Sequence, residues 1–424
     1  MSTSSAPSST PSPDATPRRC VAVTPASTDA TLGELLGAIE AELPAAVALR
    51  RRLHAHPELA HAEHATAQIV REAIGLPTAP APGTAVVVPL AASGGRRTVA
   101  VRAELDGLPI AERTSVGWAA ANGAMHACAH DVHAAALVAL CRAAATLGER
   151  LPGRLTAVFQ HAEEAYPSGA QQLAGAGVLA GVEAIVAAHV HPLVPWGRVA
   201  LDVGAVNAAC ANVAVELTGR GGHAAYPHDA VDPVPAFAAL LQALYALAGR
   251  RTDPTHGTVI GVGVVEAGGS ENVIPGSARL GATVRALDAR DRERLLAAIH
   301  TLAAGIAQAH GCSAEVRVTE GEPTLVNDAA IVGRARALLA DAGLERAPAL
   351  RSCGADDFAY FSALAPIAMA FVGLDGAAGF AARPLHHPEF LPPDAAVGAV
   401  ARTLAVLFHA ACGAGGPDGA AVRA

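Results

Sequence analysis

The chain of 424 residues contains no lysine; all 30 of its cationic side chains are arginine. That excludes Schiff-base chemistry on a lysine, pyridoxal-phosphate attachment and a P-loop phosphate lysine. Aromatic residues make up only 3% and charged residues 16%. The net charge of −8 removes nucleic acid and an anionic membrane as main partners. Seven scattered cysteines, odd in number and without a CxxC pair, argue against a disulfide framework. No strongly apolar, uncharged run of about 18 residues occurs, so no transmembrane helix is expected. There is no GxGxxG after a strand and no Walker A pattern, which removes nucleotide-dependent chemistry. Residues 1–30 are rich in Ser, Thr and Pro without an apolar segment and read as a tail rather than a signal peptide. Residues 412–424 read as a second tail, and a cytoplasmic protein is expected.

The length suits two domains. A helical stretch from Leu32 to Ala65 is expected to break near Pro44 and Pro57. Apolar runs ending in polar residues follow at 97–106, 155–164, 184–189 and 367–374, separated by Ala-rich helical stretches. Buried strands alternating with helices predict an α/β fold, a mostly parallel sheet flanked by helices. Sites in such sheets lie beyond the carboxyl ends of the strands. Between residues 208 and 320 the pattern changes. Alternation at 212–218, then helix, strand, strand, helix and strand, is the order of a ferredoxin-like α+β unit. The α/β pattern resumes after it. The expected organisation is a catalytic domain of 31–207 and 321–411 with an inserted lid of 208–320.

Histidine is abundant, with 18 residues in dense groups. Cys128 and His130 stand two apart, and both residue types ligate zinc-like metals. Glu163 and Glu164 end an apolar run, where a cation would offset their repulsion; one carboxylate can ligate it while the other serves as general base. His189 and His191 also stand at a strand end, and with the strand ending there only one is expected to enter a site. The pair Gly221-Gly222 precedes His223, and His386-His387 lies late in the chain. Together these residues favour metal-assisted hydrolysis.

The segments RRRLHAHPELAHAEHAT (50–66), VRAELDGLPI (101–110), GAMHACAHDVH (123–133), FQHAEE (159–164), GRGGHAAYPH (219–228), NVIPGSARLGATVR (272–285), GADDF (354–358) and LHHPEF (385–390) carry a resemblance. The chain resembles the M20 metallopeptidase family, and within it the branch of hippurate hydrolases, N-acyl-amino-acid amidohydrolases and auxin-conjugate hydrolases. The resemblance implies a zinc-exopeptidase-like catalytic domain and two divalent metal ions per subunit, with Zn, Mn, Co and Ni all compatible. It implies Cys128, His130, Glu164, His189 and His386 as ligands, with Cys128 bridging. It implies Glu163 as general base and proton donor, and His223 at the scissile carbonyl, from this subunit or a partner. Asn272 and Arg285 match substrate-contacting positions, and Asp106 a position that fixes a ligand. The implied substrate is a small N-acyl amino acid or peptide, and the implied assembly a homodimer through the inserted domain. A dipeptidase or carboxypeptidase with the same site, and a silent binding protein on the same fold, are the alternatives. The chain departs from the family at Ala129 (CAH for CGH), His161 (HAEE for PAEE), Glu104 and Asp356; His161 is expected near the base.

Overall fold

The computed structural model describes residues 30–90 and 97–414. The expected tails fall outside these residues, except that Ala30, Cys412 and Gly413 are helical and Ala414 forms a turn. The first segment runs α1 (Ala30–His54), α2 (His64–Ile74), β1 (Val86–Leu90), β2 (Thr98–Glu104), α3 (His130–Leu147), β3 (Arg154–Gln160), α4 (Gly169–Gly175) and β4 (Ala184–Pro195). The inserted unit follows as β5 (Ala209–Thr218), α5 (Pro233–Arg251), β6 (Thr258–Ala267), β7 (Ser277–Ala286), α6 (Ala289–Ala309) and β8 (Ser313–Glu320). The chain then returns through α7 (Ala329–Leu338), β9 (Ile367–Asp375) and α8 (Ala395–Gly413).

The main sheet has the order β1–β3–β2–β4–β9, extended by the short strands Arg198–Ala200 and Glu345–Arg346. The pairs β3–β2, β2–β4 and β4–β9 are parallel, and β1 is an antiparallel edge. The inserted sheet has the order β8–β5–β7–β6, all antiparallel, with α5 and α6 packed on it. This is the expected α/β catalytic unit with a ferredoxin-like insertion. Leu217, Leu240, Leu280 and Leu295 sit in the insertion's own core.

Two expectations need correction. The break at Pro44 does not occur; Pro44 lies inside α1. It sits on the exposed face, while Leu35, Ile39, Ala46, Leu49 and Leu53 bury a continuous stripe on the other. Burial of that stripe outweighs the hydrogen bond that proline removes. The strand expected to stop at His189 runs on to Pro195. Its pairing with β9 shifts register between Gly373 and Asp375, an irregularity of the kind that accommodates proline in a strand. Although α3 and α8 are long and apolar enough to cross a membrane by length and composition, both are mostly buried. They are core helices packed on one another, and both contact the sheet.

A buried charge network ties the end of α1 to the start of α3. Arg50 Nε donates to Asp131 Oδ2 at 2.7 Å, and His54 Nδ1 donates to the same oxygen at 2.9 Å. His54 Nε2 lies 3.1 Å from Glu112 Oε1. Burial pulls the His54 imidazole down, but the charge and hydrogen bond of Asp131, with Glu112 behind, push it up to about 9. Because the folded value is raised, this stabilisation is complete below the ordinary histidine range near 6.5 and is lost as pH climbs through about 9. The midpoint of urea unfolding is therefore expected to fall between pH 6.5 and 9, by an amount that His54→Gln removes. An unchanged slope in the variant would show that His54 is not the titrating group.

Candidate metal centre

The site is assembled where three parallel strands end. β2 leads to Asp106, β3 to Glu163 and Glu164, and β4 carries His189 and His191. Cys128 and His130 flank Ala129, whose φ of 65° turns the chain at the start of α3. A left-handed alanine carries the strain that a glycine would avoid. His386 arrives from beyond β9, also left-handed at φ 64°, with its N–H bonded to the Ala127 carbonyl at 2.9 Å.

Cys128, His130 and His189 bring ligand atoms within 4.8 Å of one another, and so do Cys128, Glu164 and His386. Cys128 belongs to both groups. Its Sγ stands 3.4 Å from His189 Nε2, and His386 Nε2 stands 3.2 Å from Glu164 Oε1. His387 is turned away, its Nδ1 accepting the Glu389 N–H at 3.1 Å.

Hydrogen bonds hold the far side of two of the candidate ligands. His189 Nδ1 donates to the Val190 carbonyl at 2.7 Å, and His130 Nδ1 donates to the Asp106 carbonyl at 2.9 Å. Such bonds fix the ring and its tautomer. The Asp106 carboxylate accepts the Glu164 N–H at 2.8 Å. His133 Nδ1 donates to Glu104 at 2.9 Å, and Glu104 in turn pairs with the fully buried Arg102.

The residues fit a pair of divalent cations. Among the described residues, His130 Nε2 and Glu164 Oε1 are buried with no partner in hydrogen-bond geometry, which a buried polar atom tolerates poorly unless an ion takes that place. The electrostatics agree. Burial lowers His130, yet Asp106 and Glu104 raise it to about 10, a demand for positive charge at that point. Burial and the neighbouring Glu164 and Glu163 hold the Cys128 thiol well above its usual range, so a cation is needed to make the thiolate ligand. Burial, with His133 next, keeps His189 neutral and able to ligate. Burial, then the charges of Glu164, Asp356 and Asp357, holds Glu163 well above the carboxylate range.

Above these groups lies a cavity of about 470 Å³. Cys128, Glu163, Glu164, His189 and His386 line its floor; Asn212 and Arg285 reach it from the inserted unit. His191 lines it as well, because β4 continues and places both histidines on one face. Arg285 Nη1 donates to the Cys353 carbonyl at 3.2 Å. His223 and Asn272 are not brought to this cavity within the chain. His223 is exposed on the short strand Gly222–His223, paired with Val273–Ile274, and Asn272 is exposed beside it. Gly221 is required at that turn, since a Cβ there would lie 2.9 Å from the Ile274 carbonyl. His161 does not line the cavity. Its ring is buried against Gly83 and Gly169 and meets His61 edge-on at 5.9 Å. The sequence reading had no signal for Asn212, Tyr166 or Glu322 in the cavity wall.

A parallel sheet with imidazole, thiol and carboxylate groups at its strand ends, roofed by a ferredoxin-like insertion, defines a hydrolase of the metallopeptidase class. The chain belongs to peptidase family M20/M25/M40, whose model matches residues 100–409. It is 33% identical over 356 residues to an N-acetyl-L-cysteine deacetylase of Bacillus subtilis, covering 83% of this chain and 84% of that protein. It is 35% identical over 286 residues to an N-acyl-L-amino acid amidohydrolase of Geobacillus stearothermophilus, covering 66% of this chain and 77% of that protein. The crystal structure of the Bacillus subtilis YXEP protein, described as a dinuclear metal-binding peptidase, superposes with a TM-score of 0.77 at 28% identity, covering 87% of this chain and 98% of that one.

Proposed function

We propose that this enzyme hydrolyses the amide bond of N-acyl amino acids in a metal-dependent reaction, releasing a carboxylic acid and an amino acid. The observation that carries the reading is the sharing of Cys128 between two ligand groups with Glu163 beside them. The named activities of the two sequence relatives support it. Cys128, His130, Glu164, His189 and His386 would hold the ions, Cys128 being common to both groups, with Asp106 fixing His130 and Glu164. Zn, Mn, Co or Ni suits this donor set. Divalent cations bound there supply Lewis acidity toward the scissile carbonyl and toward water. Glu163 takes the proton from the attacking water and returns it to the leaving nitrogen. Arg285 offers a guanidinium to a substrate carboxylate, and Asn212 a polar contact beside it. The inserted unit, residues 208–320, acts as a lid on the catalytic domain of 31–207 and 321–411.

His223 and Asn272 lie outside the cavity in their own chain, so we assign them to the site of a partner subunit in a homodimer. The exposed Val259, Val264 and Val265 on edge strand β6 support pairing through the inserted unit. We assign the enzyme to the cytoplasm, with small molecules rather than nucleic acid or membrane as partners. A dipeptidase or carboxypeptidase reading shares every group named so far, and the neighbour described as a peptidase favours it as the second choice. Amine release from N-acetyl, N-benzoyl, long-chain acyl and indoleacetyl amino acids and from dipeptides, after metal stripping and reloading, separates the two. Release from one acyl class that needs added metal is expected. Release from dipeptides alone would replace this reading by the second.

A further inference from the structure

We propose that Glu63 is a positioning residue for the general base, a role that rests on Glu163 acting as that base. Glu63 stands at the start of α2 and is fully buried. It makes no ion pair among the described residues. Its carboxylate instead accepts from three neutral donors: Ala162 N–H at 2.7 Å, His61 N–H at 3.1 Å and Thr84 Oγ1 at 2.6 Å. A buried carboxylate without a cation is expensive unless its hydrogen bonds are specific and complete.

The donor that matters is Ala162, the residue immediately before Glu163. Ala162 has φ 46°, a left-handed conformation that alanine holds only when its surroundings impose it. Its N–H is taken by Glu63 and its carbonyl by the Gly169 N–H at 2.9 Å. One residue past the base, the Glu164 N–H is held by Asp106 Oδ2 at 2.8 Å. Two carboxylates from distant parts of the chain therefore grip the peptides on either side of Glu163. The side chain between them points into the cavity beside Glu164. Asp106 also touches a ligand; Glu63 touches neither ligand nor cavity, so its effect on the reaction passes through the backbone at Ala162. A displacement of the base by about 1 Å is enough to cost on the order of a hundredfold in rate.

The test compares Glu63→Ala, Glu63→Gln and Glu163→Gln in the metal-loaded enzyme. It records kcat, KM, bound metal and amide exchange of the peptide spanning 159–166 in metal-free protein. Glu63→Ala is expected to lower kcat by roughly ten- to a hundredfold with KM and metal content unchanged, and to speed exchange in that peptide. Glu63→Gln keeps an acceptor for Ala162 and is expected to restore kcat to within a few-fold of the parent. A Glu63→Ala enzyme with parental kcat, or a loss that Gln does not rescue, would overturn the proposal. Should Glu63→Ala not fold, Thr84→Ala removes the hydroxyl that orients Glu63 and should lower kcat several-fold at constant KM; no change in kcat there overturns it equally. Glu163→Gln at full activity would instead remove the underlying assignment of the base.

Discussion

Glu163→Gln is expected to lower kcat by on the order of 10²–10⁴-fold while both metal ions stay bound. The substitution keeps size and hydrogen-bonding reach but cannot accept a proton. The carboxylate it replaces sits at the end of β3 with about a tenth of its side chain exposed, 3.9 Å from His130 Nε2. It is surrounded by Glu164, Asp356 and Asp357, and with burial these hold its proton affinity high. None of the five proposed ligand residues is altered, so elemental analysis should still find two ions per chain. Full activity in the variant would dismiss Glu163 from the mechanism.

Cys128→Ala is expected to remove both ions, whereas His189→Ala is expected to remove one. The thiol is the vertex common to the two groups Cys128–His130–His189 and Cys128–Glu164–His386, whereas His189 belongs to the first alone. Loss of a shared ligand should weaken both sites by more than the roughly 10–100-fold that loss of an outer hydrogen-bonding partner costs. Metal titration by calorimetry of the two variants checks this. Two ions bound to Cys128→Ala at parental affinity would show that the sulfur does not bridge. The same titration run against pH should show proton release on binding, because the buried thiol is protonated until a cation arrives.

The parallel strands were legible because a strand covered on both faces reads as an unbroken apolar run, as in 184–188 and 367–372. The insertion was legible through the change to strict alternation at Asn212–Thr218. Local sequence misled where a proline stood. Pro44 looks like a helix breaker but faces solvent on α1, and the prolines after His189 hid a strand that absorbs them at a register shift. The chemical identity of the floor was readable from Cys128, Glu163, Glu164 and the histidines. Direction was not. The φ of Ala162 turns the backbone between His161 and Glu163, so a histidine two positions before Glu163 ends in the core. Contacts such as Glu63 to Ala162, 99 positions apart, leave no local pattern at all.

The placement of β9 has a consequence for biosynthesis. It pairs with β4 in the middle of the sheet, yet roughly 170 residues separate the end of one from the start of the other. At about 5–20 residues per second, a ribosome leaves the apolar edge of β4 without its neighbour for on the order of 10–30 s. The inserted unit, which pairs only with itself, can complete its sheet in that interval. The half-built catalytic sheet meanwhile presents an open strand edge, a substrate for chaperones or for its own aggregation. His386 emerges later still, so the proposed metal site is complete only in the nearly finished chain.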